Sequence, residues 1–254
     1  MLDNVKTILI LEDSSRVDFG GGQKMTLITS NILKSKYNLR FIDFAATTRY
    51  AYTIKHQYGN ENFVDIGHMR IRGQGGWLSW LIMVLLSMVY LFYDTKRILR
   101  NIDYNKCICY STNKRTLIVA AFLRWRYNIP YVHHAHLVEK NNILRNLFIN
   151  RLFKCAEFVL CVSNVVKESI GTPNCKLLYN PSNNIRGYKG VKKDNKFIVA
   201  FVGSLIPIKG VEYFIDAAKY CPKHIEFRIY GDGPLREVLK KRSDGRVIFM
   251  GFDN

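Results

Sequence analysis

The most constraining feature of this 254-residue chain is a break in an apolar run. Phe197 to Phe201 is apolar, Gly203 and Ser204 interrupt it, and Pro207, Lys209 and Gly210 precede a segment with helical spacing. That order specifies a strand, a tight turn and a helix start. Backbone N–H groups at such a start favour anions, and Lys209 adds a point charge. The theme repeats with a strand over Glu226 to Tyr230, a turn at Gly231-Asp232-Gly233, and Pro234 expected at a first helical position. A third apolar run, Val247 to Phe252, completes a βαβα frame.

In order and spacing these residues resemble the nucleotide-sugar half of the family 4 glycosyltransferases of the GT-B fold. That family typically reads Val-Gly-Arg-Leu, a proline, Lys-Gly and later Gly-Asp-Gly-Pro. Here the residues are Val202-Gly203-Ser204-Leu205, Pro207, Lys209-Gly210 and Gly231-Asp232-Gly233-Pro234. The resemblance implies an α/β, GT-B-like fold of two Rossmann-like, doubly wound domains, the second incomplete. It implies a retaining hexosyl transfer from a UDP- or GDP-sugar, independent of metal and of any other cofactor. Gly203, Ser204, Lys209 and Gly210 would hold the donor phosphates, and Gly231, Asp232, Gly233 and Pro234 would lie near the nucleotide. One departure is plain: Ser204 stands where the family has an arginine on the donor diphosphate, which leaves Lys209 as the main cation there.

Alternating strands and helices fill the rest of the chain. Strands are expected over Thr7 to Leu11, Leu39 to Ala45, Asn62 to Ile66, Lys106 to Tyr110, Tyr131 to Ala135 and Phe158 to Val162. The alternation argues for a doubly wound domain over residues 1–183. A polar, basic stretch without apolar period reads as a linker over 184–196, and the second domain occupies 197–254. A helix is expected over Gln23 to Lys34, its apolar spacing carried by Met25, Leu27, Ile28, Ile32 and Leu33.

The formal net charge is +18. Residues 1–196 hold 29 Lys/Arg against 13 Asp/Glu, whereas 197–254 hold 9 against 7, so the basicity belongs to the first domain. An anionic membrane face and nucleic acid are the partners such a surface suits. No nucleic-acid-binding motif is present, and the basic helices carry apolar faces, which favours the membrane. The six cysteines form no Cys-x-x-Cys pair and lie mostly in apolar runs, so they read as buried thiols of a reducing compartment. The chain enters its first strand without a signal peptide.

Trp77 to Tyr93 is a 17-residue run without charge, flanked by Arg70, Arg72, Lys96, Arg97 and Arg100. A span there would separate strands that must share one sheet, so the run is expected to be part core and part membrane-interfacial. Asn141 to Lys154 reads as a second basic amphipathic helix.

Gly20-Gly21-Gly22 joins the first strand to the first helix, followed by Gln23-Lys24, which departs from a Walker A loop. It resembles the GT-B glycine loop that sits beside donor phosphate and acceptor; a turn capping a helix is the plainer alternative. Pro130 to His136 holds three of the six histidines. Two could meet a metal, but no third ligand is evident nearby. The family places an active-site histidine six residues after this proline, which makes His136 the catalytic candidate together with Lys209. His133 and His134 read as packing or hydrogen-bonding residues.

The family's paired glutamates, eight apart, have no counterpart, since no two of the eight glutamates here are so spaced. The resemblance therefore implies a chain that lacks part of the donor half, its sugar-holding residues included, and that is either marginally stable or completed by a C-terminal fragment. The reading is a glycosyltransferase of surface-polysaccharide biosynthesis with a lipid-linked glycan acceptor, cytoplasmic and peripheral on the inner face of the cytoplasmic membrane. A catalytically inactive, membrane-binding remnant and a basic nucleic-acid-binding protein are the alternatives.

Overall fold

Short apolar runs without polar alternation bury both faces only inside a helix-covered parallel sheet. The computed structural model, which describes residues 4–15, 19–67, 89–139, 143–181 and 197–251, contains two parallel sheets, the first buried on both faces and the second with Phe197, Ile198 and Val202 exposed. They lie in two compact units, Met1–Ser182 and Asn183–Asn254.

The first unit carries β1 (Thr7–Glu12), β2 (Asn38–Asp43), β3 (Phe63–Asp65), β4 (Cys107–Ser111), β5 (Tyr131–Ala135), β6 (Phe158–Cys161) and β7 (Cys175–Leu177). Their order is β3-β2-β1-β4-β5-β6-β7, with every pairing parallel. The order reverses between β1 and β4, and such a switch point opens a crevice beyond the carboxyl ends of the strands. The helices are α1 (Gly21–Leu33), α2 (Arg49–Tyr58), α3 (residues 89–98), α4 (Lys114–Tyr127), α5 (Ile143–Cys155) and α6 (Asn164–Ile170).

Alternation along β1 sorts two cores. Leu9 and Leu11 pack with Leu117, Phe122, Tyr131 and Phe153, whereas Ile8 and Ile10 pack with Phe41, Tyr50 and Ile54. Each large apolar side chain so buried contributes about 1.5–3 kcal/mol.

The expectations for the inward face of α1 and for the cysteines are corrected. The inward face of α1 is polar: Gln23, Thr26 and Ser30 are buried, while Ile32 is exposed. Thr26 Oγ1 donates to Glu12 Oε2 (2.7 Å) and Ser30 Oγ to the Thr26 carbonyl (2.7 Å), so the stripe is satisfied under the sheet end. Cys155 is exposed and Cys221 half-buried, although Cys107, Cys109, Cys161 and Cys175 are buried free thiols. In α5 the apolar residues Ile149 and Phe153 are buried and Phe148 and Leu152 pack against the core, so that helix is held by the interior. The proposed linker 184–196 and residues 77–88 of the uncharged run lie outside the described residues. No helix among the described residues is long and apolar enough to cross a membrane.

The second unit carries β8 (Phe197–Val202), β9 (Ile225–Tyr230) and β10 (Val247–Gly251) in the parallel order β10-β9-β8, with α7 (Val211–Tyr220) and α8 (Arg236–Ser243). Its core joins Leu205, Val211, Ile215, Phe227, Ile229, Leu239 and Val247. Pro234 is not the first helical residue. It lies in a turn closed by Arg236 N to the Gly233 carbonyl (3.0 Å), where its fixed φ suits the second turn position, and α8 starts at Arg236.

The exits of β8 and β9 meet backbone to backbone. Gly203 N donates to the Tyr230 carbonyl (2.9 Å), and Leu205 N to the Asp232 carbonyl (2.9 Å). A Cβ at Gly231 would lie 1.9 Å from the Gly203 carbonyl oxygen, and Gly231 has φ +150°. We predict that Gly231→Ala destabilises this unit by about 2–4 kcal/mol, a clash no rotamer relieves. Hydrogen exchange of the β8 and β9 amides measures it; unchanged protection would contradict this packing.

Candidate functional site

Both units present their polar features at the carboxyl ends of the strands. In the second unit, Val202, Tyr230 and Gly251 end their strands, and with Ala200, Gly203, Ser204 and Gly231 they line an open hollow of about 510 Å³. Of the sequence candidates, Gly203, Ser204 and Gly231 reach this hollow. Lys209 and Gly210 do not line it: Lys209 is exposed on a short 3₁₀ turn, Pro207–Lys209, and Gly210 is the left-handed N-cap of α7 (φ +61°). Asp232 is held by its own turn, its Oδ1 accepting the Gly233 N–H at 2.7 Å. A Cβ at Gly233 would meet Leu205 backbone at 2.6 Å. Gly231 and Gly233 are thus required by packing, and Gly231 also opens the hollow.

In the first unit the glycine loop behaves differently. Gly20 is the N-cap of α1, and its N–H donates to Gln23 Oε1 (3.0 Å). A Cβ on Gly21 or Gly22 would meet nothing within 4 Å. Folding therefore does not require glycine at 21 and 22, and the space beside them is open to a ligand.

β1 and β2 end in two buried carboxylates, Glu12 and Asp43. Asp43 accepts from Ser14 N (2.9 Å) and Ser14 Oγ (2.6 Å), and Ser14 Oγ also lies 2.7 Å from Thr48 Oγ1, the N-cap of α2. Glu12 accepts from Thr26, from Thr112 Oγ1 (3.0 Å) and from the Asp13 N–H (3.0 Å). Burial pushes both carboxyls up, Asp43 to about 7, against the hydrogen bonds that pull them down. Asp13 pairs with Arg115 of α4 at 2.9 Å.

The histidines lie at the end of β5. His133 Nδ1 is 2.8 Å from Ser111 Oγ, and His134 Nδ1 is 2.5 Å from Tyr110 Oη. Burial drives the His133 imidazole down to about 3 and His134 to about 4, so both are neutral at pH 7. The His134 and His136 rings lie 4.2 Å apart, and burial lowers His136 as well. His134 Nε2 is buried without a hydrogen-bond partner among the described residues. His133 and His134 are bonded core residues, as read from sequence, whereas half-buried His136 stands at the strand exit. Lys114 of α4 and Glu139, beyond that exit, form an ion pair at 2.5 Å.

The sequence reading missed Glu12, Ser14, Asp43 and Thr48 as one cluster. Its signal was an acid closing each of two apolar strands, a position where a carboxylate must find buried donors.

Residues 196–253 match the family described as Glycosyl transferases group 1. Two uncharacterized glycosyltransferases of Methanocaldococcus jannaschii are similar in sequence. MJ1178 is 31% identical over 130 residues, covering 48% of this chain and 35% of its own length. MJ1607 is 27% identical over 237 residues, covering 78% of this chain and 58% of its own length. The chain thus spans only part of the curated relatives it matches. Among solved structures, Anabaena HepE in complex with UDP and glucose superposes with a TM-score of 0.67 at 20% identity, covering 98% of this chain and 70% of HepE. The fold is the GT-B-like α/β fold, and the second unit resembles the group 1 glycosyl transferases in sequence.

A carboxyl raised in the folded state holds its proton more tightly there than in the unfolded chain. Its stabilising contribution is complete below about pH 4 and is lost as pH rises through about 7. We predict that wild-type stability relative to Asp43→Asn falls by up to about 4 kcal/mol between pH 4 and pH 8. Urea unfolding of both proteins across that range reads it; a constant difference would contradict the buried carboxyl.

Proposed function

We propose that this chain forms the acceptor-side domain and the leading part of the donor domain of a retaining hexosyltransferase. The observation that carries the reading is a coincidence of place. The segment matching the group 1 glycosyl transferases, 196–253, is the one whose Gly203, Ser204 and Gly231 line a hollow at the strand ends. That is where parallel α/β sheets take their ligands. The donor is a nucleoside-diphosphate sugar, and the UDP complex of HepE supports UDP ahead of GDP.

In this reading residues 197–254 take the donor and residues 1–183 the acceptor, joined through 184–196. The Ser204 backbone N–H at the rim of the hollow faces diphosphate, with Lys209 swinging its exposed ammonium onto it. As the bond from the anomeric carbon to the diphosphate breaks, charge grows on the leaving oxygens, and fixed dipoles with a nearby cation stabilise it without metal. His136 at the β5 exit is the first unit's catalytic candidate, and the open side of Gly21 and Gly22 admits the acceptor. The acceptor is a lipid-linked glycan of surface-polysaccharide assembly at the inner face of the cytoplasmic membrane.

Calorimetric titration with UDP and with GDP tests this. One nucleotide is expected to bind with micromolar Kd, and Lys209→Ala to weaken it about tenfold, the loss of one charge-assisted contact. Heat with neither nucleotide would favour the inactive-remnant reading.

A further inference from the structure

We propose that the α3–α4 face of the first unit is a docking surface for an anionic lipid bilayer. Helix α3 has two sides. Leu91, Asp94, Thr95 and Ile98 are buried, whereas Val89, Phe92 and Tyr93 are exposed, Tyr93 by 75%. Trp125 of α4 is 72% exposed. These are not scattered rings. Phe92 packs edge-on against Trp125 (centroids 6.3 Å apart) and against buried Phe122 (5.0 Å), so one contiguous aromatic patch rests on the core.

Cations border the patch at one end. Lys96 and Arg100 are exposed near the end of α3, and Arg126 is exposed near the end of α4. None of the three makes an ion pair among the described residues. The Arg40 guanidinium donates to the Arg97 carbonyl (2.9 Å) and the Arg100 carbonyl (3.3 Å), which fixes the end of α3. Helix α4 contains no acid, and the one acid in α3, Asp94, is buried. The face is therefore apolar and positive, with no exposed acid on either helix.

Charge complementarity selects the occupant. A second copy carries the same +18 net charge and is repelled. Nucleic acid calls for cations spread along a phosphate track, whereas here aromatics precede cations along α3. That gradient suits the depth profile of a membrane interface, with rings at headgroup depth and long cationic side chains reaching lipid phosphate. The proposal deepens the membrane-side reading above, naming the face that makes the contact.

Co-sedimentation of the full chain with phosphatidylcholine vesicles, with and without one third phosphatidylglycerol, is the test. The wild type is expected to bind only the anionic vesicles. Tyr93→Ser combined with Trp125→Ser, and separately Lys96→Glu with Arg100→Glu, are expected to weaken binding at least tenfold without changing the melting temperature. Variants that bind like the wild type, or binding indifferent to phosphatidylglycerol, would overturn the proposal. So would dimerisation or oligonucleotide binding that these variants abolish in place of vesicle binding. UDP titration of the same variants separates the two readings: retained UDP binding with wild-type vesicle binding sinks only the docking face, and lost UDP binding in the wild type sinks only the transferase.

Discussion

Backbone can meet backbone at the exits of β8 and β9 only because Gly231 has no Cβ, which would stand 1.9 Å from the Gly203 carbonyl oxygen. The rest of the second unit's ligand end depends on that contact. It sets the hydrogen bonds from Gly203 and Leu205 to the opposite loop and leaves Ser204 at the rim of the hollow. It also fixes where α8 begins, through the turn at Gly233 and Pro234. A motif that reads as phosphate chemistry is thus first a packing device, and the hollow follows from the packing.

The first unit solves the same geometric problem with side chains. Its strands also end at a crevice, and parallel register brings Glu12 opposite Asp43. Two adjacent buried acids repel unless donors neutralise them or protons bind. Ser14, Thr26 and Thr112 supply the donors, and burial raises both carboxyls. The same bonds hold Ser14 and Thr48, the residues by which the chain leaves β1 and enters α2. In one unit the exit loops are fixed by the lack of side chains, and in the other by buried ones.

Much of this was legible in the residues. Apolar runs bounded by turns located β5 at Tyr131–Ala135 and the remaining long strands to within a residue or two, because a doubly covered strand must be apolar throughout. The polar inward face of α1 was not legible. Apolar spacing is the strongest signal in a helix, and the stripe of Gln23, Thr26 and Ser30 makes sense only once Glu12 lies beneath it. The Ser14–Asp43 bond spans 29 positions and needs the register of β1 on β2, which no local pattern encodes. Lys209 shows the opposite limit. Its neighbours in sequence mark it as an anion contact, yet it stands outside the hollow that Gly203 and Ser204 line.

The central claim is that the hollow at the ends of β8, β9 and β10 takes a nucleoside diphosphate. Amide chemical-shift mapping of the ¹⁵N-labelled chain titrated with UDP tests it most directly. The account predicts shifts concentrated at Gly203, Ser204, Gly231 and Gly251. Saturable shifts confined to other residues, with these four amides unmoved, would contradict it.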